Sequence, residues 1–226
     1  MATREEEKAA AARKSIEYVA DGMIVGLGTG STARYVIELL GERVSQGLNI
    51  RGIPTSKVSA RLAASLKIPL TTLDQVESID LTIDGADEIA PGLALIKGGG
   101  GALLHEKVVA SYSQRLLIVA DEHKRVARLG HYPLPVEVIQ FAAGPVQREL
   151  RKMGANPELR AGDDGHPFTT DEGNFLFDCS FGQIENPEEL GRTLKSITGV
   201  VEHGLFLGLA SMAIVAGPSG VQVLTA

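Results

Sequence analysis

Residues 26–33 alternate glycines with hydroxyl residues, reading Gly-Leu-Gly-Thr-Gly-Ser-Thr-Ala between a predicted strand and a predicted helix. Glycines let the main chain approach a ligand closely, and the N-terminus of a helix attracts an anion. The run therefore predicts a phosphate cradle, for which the candidate residues are Thr29, Gly30, Ser31 and Thr32. A capped turn is the plain alternative. The run also fits the relaxed dinucleotide fingerprint, but the next predicted strand leads into Pro54, Thr55 and Ser56 and lacks the expected acid.

Carboxylates follow another predicted strand, at 79–83. The residues there are Asp84, Gly85, Ala86, Asp87 and Glu88. Open α/β sheets bind ligands beyond the carboxyl ends of their strands, so Asp84 and Asp87 are candidates for facing one ligand cleft. A solvated Asp-Gly turn and a magnesium site remain alternatives.

Lys97 precedes four successive glycines, of which Gly98, Gly99 and Gly100 are candidates for ligand binding. Successive glycines can aim main-chain amides into a nest that holds an anion, and a lysine beside the nest suits a developing oxyanion. A flexible linker is the alternative.

Glu106 stands on the helix predicted after the glycines. Its neighbours at helical spacing are apolar, namely Ala102, Leu103, Val109 and Ala110. We therefore expect its carboxylate to point inward, where it can act as a proton shuttle. A surface ion pair with a lysine is the alternative.

Lys124 follows the strand predicted at 116–120, which places it at the same sheet edge as the other candidates. Alone it would be read as surface charge, but the shared edge makes it a candidate ligand. Zinc is disfavoured, because Val109 stands where the zincin motif that His105 begins needs its second histidine. No metal and no cofactor are expected.

Strands and helices alternate through the first 130 residues, which predicts an open, mostly parallel, Rossmann-like α/β sheet. One further strand is predicted near 68–73. Residues 132–206 have the order β-α-β-β-α-β of a ferredoxin-like module, with a last strand at 200–206. The tail is predicted to form two strands that return to the first sheet. The expected domains are therefore 1–131 plus 207–226, and an inserted smaller domain at 132–206.

The composition excludes several classes of protein. Apolar residues make up 44 %, so disorder is not expected, and the single cysteine, Cys179, suits the reducing cytoplasm. A net charge of −6 and an aromatic content of 4 % without tryptophan disfavour nucleic-acid binding. The charged start at 1–8 has no apolar segment after it, and no stretch is long enough for a membrane span.

Together these motifs closely resemble the A-type ribose-5-phosphate isomerases in order and spacing. The segments that carry the resemblance are 26–32, 84–88, 97–107, 121–124, 133–138 and 204–206. They extend over nearly the whole chain. The unrelated B-type isomerases use a cysteine base, which this sequence does not suggest.

The resemblance implies that the chain interconverts ribose 5-phosphate and ribulose 5-phosphate through an enediolate, in the non-oxidative pentose phosphate branch. Glu106 would carry the proton between C2 and C1, Asp84 and Asp87 would handle hydroxyls and ring opening, and Lys97 would stabilise the oxyanion. It also implies a sugar-phosphate ligand bound by 29–32 and Lys124, and a homo-oligomer, either dimer or tetramer. A nicotinamide-dependent oxidoreductase and a non-catalytic sugar-phosphate sensor are the alternatives.

Overall fold

The computed structural model describes residues 3–225. The helices are α1 (Arg4–Ser15), α2 (Ser31–Ser45), α3 (Lys57–Ser65), α4 (Leu103–Ser111), α5 (Ala143–Lys152) and α6 (Pro187–Ser196). The strands are β1 (Ile24–Leu27), β2 (Arg51–Pro54), β3 (Leu81–Asp84), β4 (Glu88–Ala90), β5 (Ala94–Ile96), β6 (Leu116–Asp121), β7 (Leu134–Val138), β8 (Asn156–Leu159), β9 (Phe175–Ser180), β10 (Val200–His203), β11 (Leu205–Phe206), β12 (Ala210–Gly217) and β13 (Gly220–Thr225).

The chain forms two compact units. The first comprises Met1–Ala86, His105–Lys124 and Gly208–Ala226, and the second comprises Asp87–Leu104 and Arg125–Leu207. These units differ from the domains expected above at 87–104, at 125–131 and at Leu207, so those domain limits stay a prediction. Their ends at residues 1, 2 and 226 lie outside the described residues.

The first unit is built on a six-stranded sheet in the order β13-β12-β6-β3-β1-β2. All neighbouring strands are parallel except the β12–β13 hairpin, which confirms the predicted open α/β sheet and the return of the tail to it. β1, β3 and β6 are buried along their whole length, as expected for central strands covered on both faces. Their carboxyl ends therefore lie at one edge of the sheet.

Helix α1 begins with a capping box, as the sequence indicates. The Thr3 hydroxyl accepts a hydrogen bond from the Glu6 N–H, and the Glu6 carboxylate accepts one from the Thr3 N–H at 2.7 Å. Ala11 and Ala12 of this helix are fully buried in the core of the first unit, beside α2 residues such as Leu40.

The second unit contains the predicted β-α-β-β-α-β element order, from β7 to β10. Its four strands form an antiparallel sheet in the order β10-β7-β9-β8, the ferredoxin-like arrangement. Val146 and Leu150 of α5 and Leu194 of α6 pack into its apolar core.

Two expectations about strands were wrong. Residues 68–73 form no strand and pair only through an isolated bridge between Gly52 and Leu70. The strand predicted at 200–206 is divided, because Leu205 and Phe206 join β4 and β5 in a separate three-stranded antiparallel sheet that the sequence did not predict. Within residues 3–225, no helix is both long and apolar enough to cross a membrane.

Candidate active site

Asp84 ends β3 and anchors the loop that follows β1. Its Oδ1 accepts hydrogen bonds from the main-chain N–H of Thr29 at 3.0 Å and of Gly85 at 2.7 Å. Asp84 is only 1 % exposed. A solvated Asp-Gly turn is therefore excluded for Asp84, and the predicted cradle and this carboxylate are in direct contact.

Glycine is required at two positions of the cradle, for a different structural reason at each. A Cβ on Gly28 would lie 2.1 Å from Asp84 Oδ1, so the close approach requires glycine at that position. Gly30 has a φ of +114°, which side chains disfavour. It precedes Ser31 at the start of α2, where no side chain among the described residues caps the helix. The first amides of α2 are thus available to an anion.

A cluster of hydroxyls holds Thr29. Its Oγ1 lies 2.7 Å from Thr55 Oγ1, 2.8 Å from Ser56 Oγ and 3.1 Å from Ser59 Oγ. Ser59 also donates to the carbonyl of Gly28 at 2.7 Å. From the sequence, Thr55 and Ser56 stand where a dinucleotide site needs an acid, and with Ser59 they stand where the resembled family carries other small hydroxyl residues. They were not predicted as site residues, although their position directly after β2 indicates a role at this edge.

Glu106 and Lys124 are the other predicted site residues of the first unit. Glu106 lies on α4 and is 2 % exposed, so the expected inward orientation is confirmed and a surface ion pair is excluded. Lys124 ends a 3-10 turn directly after β6 and is partly buried. It therefore lies at the same sheet edge as Asp84 and the loop after β1.

In the second unit, Asp87 binds the glycine segment. Its Oδ2 accepts a 2.8 Å hydrogen bond from the N–H of Gly99. Gly98 and Gly101 both have positive φ, at +99° and +81°, and the N–H of Gly101 donates to the carbonyl of Gly98 at 3.0 Å. The segment is therefore a tight, defined turn, which excludes a flexible linker; Gly100 is its exposed residue.

Lys97 is 2 % exposed, an unusual position for a lysine. Its main-chain N–H donates to the carbonyl of Gly204 at 2.9 Å, and its Nζ lies 5.4 Å from the centroid of the Phe206 ring. This cation–π contact helps to compensate for the loss of water around the ammonium group. The β5–β11 pairing brings the two residues together.

Tyr132 was missed by sequence reasoning. A Cβ on Gly99 would lie 2.6 Å from both the Tyr132 hydroxyl oxygen and Asp87 Oδ1, so these groups crowd the turn. Burial, and after it the charge of Asp87, raise the pKa of the Tyr132 hydroxyl, which keeps it protonated. Glu88 has a structural role, because it accepts from the N–H groups of Gly130 and Tyr132.

The predicted site residues thus form two groups. The first unit brings together the loop at 28–32, Asp84 and its neighbours Gly85 and Ala86, with Lys124 at the same sheet edge. The second unit brings together Asp87, Gly98 and Gly99, with Lys97 directly before them. In the part of the chain at 3–225, no three His, Cys, Asp or Glu side chains are grouped so that they would hold a metal ion.

Comparison with known proteins identifies the family. The family model of ribose 5-phosphate isomerase A (phosphoriboisomerase A) matches residues 51–220. Ribose-5-phosphate isomerase A of Nitrobacter hamburgensis is 52 % identical over 223 residues, which cover 96 % of each chain. The protein of the same name from Rhodopseudomonas palustris is 51 % identical over 226 residues, which cover 97 % of each chain.

Solved structures agree over the whole length. A D-ribose-5-phosphate isomerase in complex with phospho-erythronic acid has a TM-score of 0.97 and 41 % identity, with 100 % of both chains covered. Ribose 5-phosphate isomerase from Plasmodium falciparum has a TM-score of 0.95 and 38 % identity, with 98 % of this chain and 99 % of that chain covered. The chain belongs to the ribose 5-phosphate isomerase A family.

Proposed function

We propose that this chain interconverts D-ribose 5-phosphate and D-ribulose 5-phosphate through an enediolate. The observation that carries the proposal is the 2 % exposed carboxylate of Glu106, which is placed on a helix directly after the lysine and glycine segment in a chain of this family. A buried carboxylate is costly for a fold unless it has a use. An aldose–ketose isomerase has such a use, since it must move one proton between adjacent carbons.

Glu106 acts as general base and then as general acid. Its carboxylate removes the proton from C2 of the opened aldose, the C2–H electron pair forms the C1=C2 double bond, and negative charge develops on O1. The hydroxyl proton of O2 is then transferred to O1, and the electron pair left on O2 forms the C2=O2 carbonyl of the ketose. At the same time the electron pair of the C1=C2 double bond takes the proton from Glu106 onto C1. Because only protons are transferred and the electrons stay within the sugar, the reaction needs no redox cofactor.

Lys97 and the amides of Gly98 and Gly100 stabilise the oxyanion, while the Gly99 amide donates to Asp87. A buried ammonium group acts more strongly on a developing charge than an exposed one, because water does not screen it. The defined turn at Gly98–Gly101 supports this role, since amides that are already oriented need no reorganisation during the reaction.

Asp84 and Asp87 move the hydroxyl protons, open the sugar ring and orient the substrate, together with Gly85 and Ala86. Each has an anchored oxygen, which holds the carboxylate in one orientation: Asp84 Oδ1 accepts from Thr29, and Asp87 Oδ2 accepts from Gly99. Fixed geometry is what proton transfer to a small polyol requires.

The phosphate is bound by residues 29–32 and Lys124. The exposed Gly30 and Ser31 begin α2, and the helix N-terminus favours an anion. The hydroxyl of Thr29 is occupied by three neighbouring hydroxyls, so its contribution is to hold the loop in place. Lys124, at the same sheet edge, supplies a cation.

The test is conversion of ribose 5-phosphate to its ketose by the purified protein, which is monitored through the absorbance of the ketose. Turnover that phospho-erythronic acid inhibits competitively is expected, because that compound carries both a phosphate and a carboxylate that resembles the enediolate charge. Tight binding without turnover would favour a sensor. Protection from heat by NAD or NADP would favour the oxidoreductase, which is disfavoured here because hydroxyls of Thr55 and Ser56 follow β2 where that class needs an acid.

We also place the enzyme in the cytoplasm, as a homo-oligomer. Burial raises the pKa of the Cys179 thiol to about 12, which suits a free thiol in a reducing compartment. Val221 and Val223 are each 42 % exposed on the edge strand β13, and Phe141 is 96 % exposed. β13 is the terminal strand of the six-stranded sheet, and an edge strand with exposed apolar side chains supports pairing with a second subunit. Light scattering after size-exclusion chromatography tests this; a monomer at every concentration would contradict it.

A further inference from the structure

Arg160 lies directly after β8 and forms a bidentate ion pair with Asp178 of β9. Its Nε donates to Asp178 Oδ2 at 2.9 Å, and its Nη2 donates to Oδ1 at 2.5 Å. The two side chains are 14 % and 26 % exposed. This parallel geometry fixes the plane of the guanidinium group, because both hydrogen bonds must be kept at once.

The third nitrogen of the guanidinium group reaches the glycine turn. Nη1 donates to the carbonyl oxygen of Gly98 at 3.1 Å and to that of Gly99 at 3.2 Å. The guanidinium carbon also lies 5.9 Å from the centroid of the Phe168 ring. One side chain, about sixty residues away along the sequence, thus holds two consecutive carbonyls of the segment after Lys97.

Holding a carbonyl also orients the next amide. A trans peptide is planar, so its C=O and N–H point in opposite directions. In the peptide between Gly98 and Gly99, the carbonyl accepts from Arg160 while the N–H donates to Asp87 Oδ2 at 2.8 Å. In the peptide between Gly99 and Gly100, the carbonyl again accepts from Arg160, so the Gly100 N–H points away from the guanidinium group.

The guanidinium group is charged throughout the working pH range. Burial alone lowers its pKa, but the hydrogen bond and charge of Asp178, with smaller contributions from Tyr132 and Asp87, leave the pKa of Arg160 raised. Glycines are the residues that lose most conformational freedom when they are ordered, so a turn made of them needs such an external clamp.

We propose that Arg160, fixed by Asp178, is a positioning residue for the isomerisation: it orients the peptides of Gly98–Gly99 and Gly99–Gly100, so that Asp87 is anchored and the Gly100 amide is aimed at the oxyanion. Arg160 acts through these peptides and not on the substrate. The inference rests on the proposed function. An ion pair that only stabilised the second unit would not need the two carbonyl contacts.

The test compares Arg160→Ala with Arg128→Ala in the full-length protein. Arg128 pairs with Glu185 in the same unit, but that pair is exposed, at 56 % and 69 %, and serves as the matched control. We expect Arg160→Ala to lower kcat about 10- to 100-fold with a much smaller change in KM, the range associated with misplaced catalytic groups. Arg128→Ala should turn over like the parent.

Chemical rescue separates positioning from stability. Added guanidinium chloride at low, non-denaturing concentration should restore part of the kcat of Arg160→Ala, whereas equal potassium chloride should not. Arg160→Lys, which keeps the charge but not the fork, should stay impaired. If Arg160→Ala fails to fold, Arg160→Lys and Asp178→Asn decide: folded variants with the kcat of the parent would overturn the proposal.

A readout without substrate keeps the inference distinct from the proposed function. Exchange of the Gly99 amide hydrogen, which is bonded to Asp87, should accelerate at least about tenfold in the Arg160 variants and stay unchanged in Arg128→Ala. Unchanged exchange would overturn the proposal even in an active enzyme. Accelerated exchange in a protein without isomerase activity would instead contradict the proposed function.

Discussion

The main-chain N–H of Thr29 donates a 3.0 Å hydrogen bond to Oδ1 of Asp84. This bond joins the loop after β1 to the last residue of β3, so one contact positions both the proposed phosphate loop and a proposed catalytic carboxylate. It is possible because residue 28 has no side chain: a Cβ there would lie 2.6 Å from Asp84 Cα, a main-chain atom that can move only together with its strand.

Gly28→Ala is therefore expected to displace Asp84 or the loop. We predict a lower free energy of unfolding, by about 1–3 kcal/mol, as is typical of overpacking, together with a raised KM for ribose 5-phosphate. Denaturant unfolding and steady-state kinetics measure the two effects. The control is Gly144→Ala, whose Cβ would meet only Arg148 Nη1 at 3.8 Å within α5. Equal changes in the free energy of unfolding and in KM for the two variants would contradict the prediction.

Lys97→Ala tests the proposed oxyanion role. A cation that acts on charge developing during the reaction should affect kcat, by about 10²–10³, more than KM. Lys124→Ala should instead raise KM, since the phosphate is charged throughout the reaction. Steady-state kinetics on both variants, with circular dichroism to check folding, make the comparison. A binding defect alone in Lys97→Ala, or an unchanged KM in Lys124→Ala, would remove the respective assignment.

Activity should persist in excess chelator, because Lys97 and the glycine amides supply the positive charge that a metal would otherwise provide to the enediolate. The measurement is the rate after prolonged dialysis against EDTA. A rate that vanishes and returns with magnesium would assign Asp84 and Asp87 as metal ligands.

We predict that ionisation of the Cys179 thiol lowers the free energy of unfolding at high pH. Burial raises the pKa of its thiol from 9.0 to about 12, so the native state binds the proton more tightly than the unfolded state. The stabilisation of the native state by the protonated thiol is complete below pH 9 and is lost as the pH rises from 9 towards 12. At pH 10.5 the free energy of unfolding is lower by about 2 kcal/mol for this reason. The difference in unfolding free energy between the parent and Cys179→Ala should narrow by that amount between pH 8 and 10.5. A constant difference would show that the thiol ionises as easily in the native state as in the unfolded state.

Local signals in the sequence predicted most of the fold. The Thr3–Glu6 capping box, the burial of Glu106 from apolar neighbours at helical spacing, and the ferredoxin-like element order were all confirmed. These features depend on residues close together in the chain or on a regular period.

Long-range pairing accounts for what the sequence did not predict. The β4–β5–β11 sheet joins residues near 95 to Leu205 and Phe206, and no local sequence pattern predicts this strand pairing. The same pairing buries Lys97 beside Phe206. Arg160 reaches Gly98 and Gly99 from about sixty residues away, so this contact, on which its proposed positioning role rests, is evident only from the tertiary structure.

Glu106→Gln tests, with little change of shape, whether Glu106 moves the proton. An amide cannot accept the C2 proton, so isomerisation should fall by about 10²–10⁴ while the melting temperature and sugar-phosphate binding stay close to those of the parent. A loss of stability alone would indicate a structural glutamate.

The most direct measurement is exchange of the C2 hydrogen of ribose 5-phosphate with deuterated solvent, which is monitored by NMR. Proton abstraction permits this exchange even when product forms slowly, so it reports on the base itself. We predict that the parent exchanges the hydrogen and that Glu106→Gln does not. If Glu106→Gln exchanges and turns over like the parent, Glu106 is not the base and the account of this site is wrong.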